Sequence, residues 1–148
     1  DNSDLDRILI NLGISYTNVG EFENGIDTFN EGFAVCSPNC NDNILKEGLL
    51  GQGKSYLGIK AFDKAEDCFL KSLAISKRQN NLFFQVGNLI QLGVVESENG
   101  NDEKSLTYLK EALGLAEQSD FVELRIQLYG QFSKIYSKKS DYEKTAFF

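Results

Sequence analysis

Histidine is absent from the chain, so the familiar serine and cysteine triads have no imidazole base here. Three cysteines, Cys36, Cys40 and Cys68, cannot complete a four-ligand zinc site without histidine or a second cysteine pair, and no metal is expected. An odd count is not a closed disulfide framework, although Cys36 and Cys40 are close enough in sequence to pair. The simpler expectation is buried or loop thiols, since free cysteine packs as a small hydrophobe. Cysteine usage leaves the compartment open between cytoplasm and periplasm. Proline occurs once in 148 residues beside 11% aromatics, a balance that favours an all-helical chain with few irregular loops. No apolar run approaches the roughly 18 residues needed to span a bilayer, and no signal-peptide pattern opens the chain. Basic residues are scattered, with short runs only at Lys77-Arg78 and Lys138-Lys139, and the net charge is −7 with a pI near 4.6. Phosphate contacts require a basic surface, so nucleic acid is excluded as a partner. Carboxylate pairs such as Glu21/Glu23 and Glu96/Glu98 read as solvated helix faces. The inventory points to no enzyme and no cofactor.

What is present is repetition. The hydrophobic fraction of 41% and charged fraction of 25% suit one globular domain, which at this length buries about 68–70% of its unfolded surface. Gly13, Gly53 and Gly93 are spaced by 40 residues, and the next step lands on the small Ser133. Three residues after each come Tyr16, Tyr56, Glu96 and Tyr136; nine after come Phe22, Phe62, Asp102 and Tyr142; twelve after come Gly25, Ala65, Ser105 and Thr145. Sixteen after come Phe29, Phe69 and Leu109, followed by Gly32, Ser72 and Ala112. Small residues in facing columns let antiparallel helices approach closely, while large ones fill the gaps. A mid-helix glycine costs about 0.8–1 kcal/mol against alanine, so three at one phase imply a shared steric need.

The helix pairs expected are Asp4–Val19 with Phe22–Cys36, Asn43–Gly58 with Phe62–Lys77, and Leu82–Asn99 with Asp102–Gln118. A fourth pair opens with Phe121–Lys138, turns at Ser140-Asp141, and restarts at Tyr142. Asp42 is the expected N-cap of the third helix. On these columns, with Leu9, Leu12-Gly13 and Tyr16, then Leu49, Gly53 and Tyr56, then Leu92-Gly93, the chain resembles the tetratricopeptide repeat family along nearly its whole length. The resemblance implies an all-α, right-handed superhelical array of antiparallel helix hairpins, with units near 4–40, 41–80, 81–120 and a truncated 121–148. Departures include Gln52 for leucine, Glu96 for tyrosine, Asp102 for an aromatic, and Lys60 and Ser140 for the turn glycine. The period exceeds the usual ~34 residues and is similar to that of arrays in signalling scaffolds and bacterial sensor and regulator proteins. A start at Asp1 without methionine and an end in mid-repeat lead us to expect an excised fragment with more repeats beyond.

One motif competes with the repeat. Residues Gly48 to Ser55 match the phosphate-loop pattern G-x-x-x-x-G-K-[ST] letter for letter. That loop needs a buried strand before it, and Ile44-Leu45-Lys46-Glu47 is too short and polar to supply one. Gly53 also falls on a repeat column, which favours the structural role over nucleotide binding.

By the resemblance, the inner helices line a groove for an extended or helical peptide. The residues facing it would be Arg7, Ile10, Asn11, Ile14 and Asn18; Glu47, Leu50, Lys54 and Leu57; Ile90, Gln91, Val94 and Glu98; and Gln127, Gln131, Lys134 and Lys138. Asn11, Gln91 and Gln131 are suited to backbone hydrogen bonding, and Ile10, Ile14, Leu50, Ile90 and Val94 to apolar contact. The Lys, Asn, Asn, Lys, Arg clamp by which some family members hold chaperone tails maps onto Ile10, Ile14, Gly51, Gly87 and Gln91. Started one unit later, it maps onto Leu50, Lys54, Gln91, Gln127 and Gln131, and keeps one lysine, so a chaperone-tail adaptor is disfavoured. The expectation is a non-enzymatic protein- or peptide-binding module, the sensory or regulatory part of a bacterial signalling protein. The alternatives are a scaffold or assembly adaptor and a spacer that self-associates through its terminal helices.

Overall fold

The computed structural model describes residues 4–146, with side chains described through Asp141. Seven helices follow in order: α1 (Leu5–Asn18), α2 (Phe22–Cys36), α3 (Asp42–Gly58), α4 (Phe62–Arg78), α5 (Leu82–Glu98), α6 (Asp102–Ala116) and α7 (Val122–Ala146). There is no strand among the described residues. No helix among them is long and apolar enough to cross a membrane. The chain divides into two compact units, Asp1–Asn81 and Leu82–Phe148.

The C-terminal ends of α1, α3, α4 and α5 share one device. Gly20, Lys60, Asn80 and Gly100 adopt left-handed backbone with φ of 84°, 61°, 52° and 88°. After each, the next amide reaches back five residues: Glu21 N–H to the Tyr16 carbonyl at 2.9 Å, Ala61 to Tyr56 at 2.9 Å, Asn81 to Ser76 at 2.9 Å, Asn101 to Glu96 at 2.7 Å. This Schellman closure satisfies carbonyls that a helix end leaves bare. It reverses the chain within three residues.

In the first unit, α1 and α2 form one hairpin and α3 and α4 a second, with α3 packed on both helices of the first. The glycine columns are steric. A Cβ on Gly13 would lie 2.8 Å from Phe29 Cδ1, and one on Gly53 would lie 2.6 Å from Phe69 Cε1. Both phenylalanines are fully buried. Between the hairpins, Phe22 lies against Gly58, where a Cβ would meet its ring at 2.6 Å.

Gln52, in place of the column's leucine, is buried, and both ends of its amide are used. Its Nε2 donates to Asn30 Oδ1 at 2.8 Å and the Ile26 carbonyl at 3.4 Å, and its Oε1 accepts from Cys68 Sγ at 3.7 Å. The N-cap of α3 is Asn41, whose Oδ1 accepts from the Ile44 amide at 2.9 Å. The expected cap, Asp42, is the first helical residue and pairs with Arg78 at 3.2 Å. Cys36 and Cys40 are joined by a disulfide across the α2–α3 loop, which corrects the expectation of free thiols there. Cys68 is the buried free thiol.

In the second unit, α5 and α6 form the hairpin and α7 packs on both. A Cβ on Gly93 would lie 2.6 Å from Leu109 Cδ2, and Ser105 Oγ donates to the Gly93 carbonyl at 2.6 Å. Glu96, in the tyrosine column, is buried and held by Asn101 Nδ2 at 3.1 Å and Lys104 at 3.2 Å. Asp102 and Lys138 repeat the spacing of Phe22 and Gly58 as an ion pair at 3.5 Å, beside Lys139–Glu103 at 3.0 Å. Charge replaces aromatic packing at the same place in the repeat.

α7 departs from expectation. It runs as one helix through Ser140-Asp141, where a turn was expected. The column residues Tyr142 and Thr145 lie outside the residues whose side chains are described.

Candidate functional site

The phosphate-loop match is resolved first. Residues Gly48 to Ser55 lie wholly inside α3, so their amides are turned into helical hydrogen bonds and cannot cradle a phosphate. Ser55, which would hold magnesium in such a loop, is fully buried, and its hydroxyl lies 2.6 Å from that of Thr17 on α1. Thr17 gives its proton to the Gly13 carbonyl at 2.9 Å, so Ser55 is the donor between the two. The residue serves to stitch α3 to α1. This section of α3 is a helix packed through its glycines, with Gly51 against Phe29 and Gly53 against Phe69.

In the first unit the residues expected to line a groove come from α1 and α3, which pack together. Arg7, Asn11 and Asn18 are exposed on α1 and Ile14 is half-buried; Lys54 is exposed on α3, with Glu47, Leu50 and Leu57 half-buried. Arg7 and Glu47 meet across the two helices at 3.9 Å. At this distance and exposure the pair contributes little to stability. Its use is to place two charges at one end of the face. Lys54 sits further along, and the protein around it lowers its ammonium below its ordinary pKa by desolvation. No carboxylate neighbour offsets that loss among the described residues.

Ile10 is not on this face. It is 1% exposed and forms the unit's core with Phe29 and Ile44. Its Cδ1 fills the space beside Gly32 and Gly48, at 3.0 and 2.9 Å from where their Cβ atoms would stand. One turn before Gly13, it shares that residue's inward direction.

In the second unit the corresponding residues come from α5 and α7. Gln91 and Val94 are half-buried and Glu98 exposed on α5, while Ile90 is buried at 1% exposure and offers no surface to a ligand. On α7, Gln127, Lys134 and Lys138 are exposed and Gln131 half-buried. Lys138 is already engaged with Asp102 and, at 3.4 Å, with Ser97 Oγ. Of the expected positions, Gln91, Gln127, Gln131, Lys134 and Val94 keep surface open to solvent. None of these side chains forms a nucleophile and base pair, and no cluster among the described residues is arranged to hold a metal.

Sequence reasoning did not find the exposed strip on the other side of α7, where Ile126 and Tyr129 are 66% and 55% exposed. The aromatic columns carried the signal, but they were read as core.

No protein-family model matches the sequence, and no curated protein matches it. Among solved structures, a TPR-like protein from Chlorobium tepidum matches with a TM-score of 0.76 at 11% identity. The match covers 90% of this chain and 94% of that one. At that identity the likeness speaks for the backbone alone: this chain has the all-α, helical-repeat fold of a TPR-like protein.

Proposed function

We propose that the chain is a non-enzymatic module that binds protein or peptide segments on the inner faces of α1 and α3 and of α5 and α7. The reading is supported by the exposed Asn11, Asn18 and Lys54 on α1 and α3, two helices that pack on one another. Leu50, Leu57 and Ile14, all half-buried, sit on the same two helices and give apolar contact, and Asn11 and Asn18 give backbone hydrogen bonding. A rigid face of this kind limits the ordering cost of binding, which falls on the ligand. The second unit would offer a face of its own through Gln91, Val94, Gln127, Gln131 and Lys134. Within this class, we favour the sensory or regulatory segment of a signalling protein, on the strength of the long 40-residue period; a scaffold that tethers two partners is the alternative.

The test is selection of peptides from a random display library on the full chain, followed by affinity measurement on variants. Selected peptides should bind Lys54→Glu and Asn11→Ala/Gln91→Ala at least about tenfold more weakly than the parent, a loss of roughly 1.4 kcal/mol. Equal affinity for all three chains removes the inner faces from the account. ATP binding that depends on Lys54 would restore the nucleotide alternative.

A further inference from the structure

The start of α7 meets the start of α5 in an open recess of ≈ 290 Å³, lined by Phe83, Asp120, Phe121, Val122, Glu123 and Leu124. Phe83 and Phe121 stand edge to face, with ring centroids 5.4 Å apart and planes at 81°. Phe83 is 49% exposed and Phe121 half-buried, so the two rings form a corner that solvent reaches. Asp120 and Glu123 are exposed beside it, and among the described residues neither carboxylate has an ion pair or a side-chain hydrogen bond. From Glu111 to Ser133 the chain carries four acidic residues and one basic, Arg125, which pairs with neither of them.

The recess lies apart from the place a following helix takes. One repeat earlier, Phe83, Asp120 and Glu123 correspond to Asn43, Asn80 and Phe83, and all three are exposed although further helices follow them in the chain. Phe83 stands eleven residues before Val94, and Glu123 eleven before Lys134, which places each about 20° from its counterpart around the helix. The recess is thus the N-terminal end of the face that Val94 and Lys134 belong to.

Its chemistry selects the occupant. A helix N-terminus carries about half a positive charge and by itself favours anions, but two carboxylates outweigh it and leave the recess negative. The two carboxylates fall short of a metal-binding group, and phenyl rings add no ligand atom. Rings favour a cation that gives up its water readily, which a guanidinium does and the strongly hydrated ammonium of lysine does not. A guanidinium is also flat, able to stack on one ring while its edge donates to a carboxylate. At ≈ 290 Å³ the recess stands at the lower bound of ligand pockets, about 300–1,000 Å³, which is room for one side chain.

We propose that the recess formed by Phe83, Phe121, Asp120 and Glu123 receives an arginine side chain of a partner polypeptide, stacked on the rings and hydrogen-bonded to the carboxylates. This rests on the reading of the α5 and α7 face as a binding surface and names the chemistry taken at one end of it.

The probe is an acetylated and amidated Gly-Gly-Arg-Gly-Gly peptide, titrated into the full chain and read by backbone amide shifts beside lysine and citrulline counterparts. Citrulline keeps the shape of arginine and loses its charge. Saturable shifts are expected at Phe83 and residues 120–124 with arginine, weaker binding with lysine, and none with citrulline. Phe83→Ala and Asp120→Asn/Glu123→Gln should each weaken arginine binding at least tenfold; these side chains are exposed, and circular dichroism checks that the fold is kept. Asn11→Ala/Gln91→Ala should leave it unchanged. Library-selected peptides can therefore fail on the inner faces while the arginine peptide binds, and the reverse, so each reading falls separately. Absence of saturable shifts, lysine or citrulline binding as tight as arginine, shifts spread over carboxylates elsewhere, or equal binding to the Phe83→Ala chain overturns the proposal.

Discussion

Replacing Gly53 by alanine sets two known effects against each other. Helix propensity favours the change by about 0.8–1 kcal/mol. Sterics oppose it: the added methyl would stand 2.6, 2.8 and 2.9 Å from Phe69 Cε1, Cδ1 and Cζ. Ordinary contact lies near 3.5–4.0 Å, so the ring must retreat by about 1 Å. Phe69 has no exposed surface into which to swing, and overpacking of this sort costs about 1–3 kcal/mol, somewhat more where the core cannot give. The net expectation is destabilisation by up to about 2 kcal/mol, measured by urea titration followed by circular dichroism. Gly114→Ala is the control, in the last turn of α6 with nothing within 4 Å of its Cβ position; it should stabilise, by at most about 0.8–1 kcal/mol. Adding Phe69→Leu to Gly53→Ala should recover part of the loss, because a smaller side chain frees the space. If Gly53→Ala is as stable as Gly114→Ala, the steric account of the 40-residue columns fails.

The remaining expectations concern the turns and the cysteines. Lys60→Gly should stabilise by about 1 kcal/mol, because a non-glycine residue at φ 61° carries a left-handed penalty of roughly that size; an unchanged urea midpoint would contradict it. Thiol titration of the denatured chain should find one reactive cysteine before reduction and three after, given the Cys36–Cys40 bond; three before reduction refutes that bond. Burial pushes the Cys68 thiol from 9.0 up to about 11. The unfolded thiol ionises first, so the stability it contributes is complete below pH 9 and lost between pH 9 and about 11. The loss is at most about 2 kcal/mol after solvent screening, and Cys68→Ser, which keeps a donor for Gln52, should flatten that slope. An identical pH profile in the variant would sink the assignment.

Helix positions were legible wherever local chemistry and packing agree. Six helices begin and end within about two residues of the pattern read from small and large columns, because Gly20 and Gly100 mark turns and Gly13, Gly53 and Gly93 mark close approach. Ile10 and Ile90 were misplaced because a helix face is assigned by angle, while burial depends on depth, which Gly32 and Gly48 leave open beside Ile10. Gln52 and Glu96 looked like breaks in the pattern, since a single sequence does not reveal the Asn30, Cys68, Asn101 and Lys104 groups that satisfy them. Lys138 read as a free cation because its partner Asp102 stands 36 residues earlier. The course of α7 was missed because a turn at Ser140-Asp141 was assumed from the 40-residue period alone, with no local signal of its own.

The central claim is that the inner helix faces form the binding surface. Its most direct measurement is the map of backbone amide shifts when a library-selected peptide is added to the full chain. The account predicts shifts concentrated on α1 and α3 around Asn11, Asn18 and Lys54, and on α5 and α7 around Gln91, Gln127 and Gln131. Shifts confined to α2, α4 and α6 would contradict it.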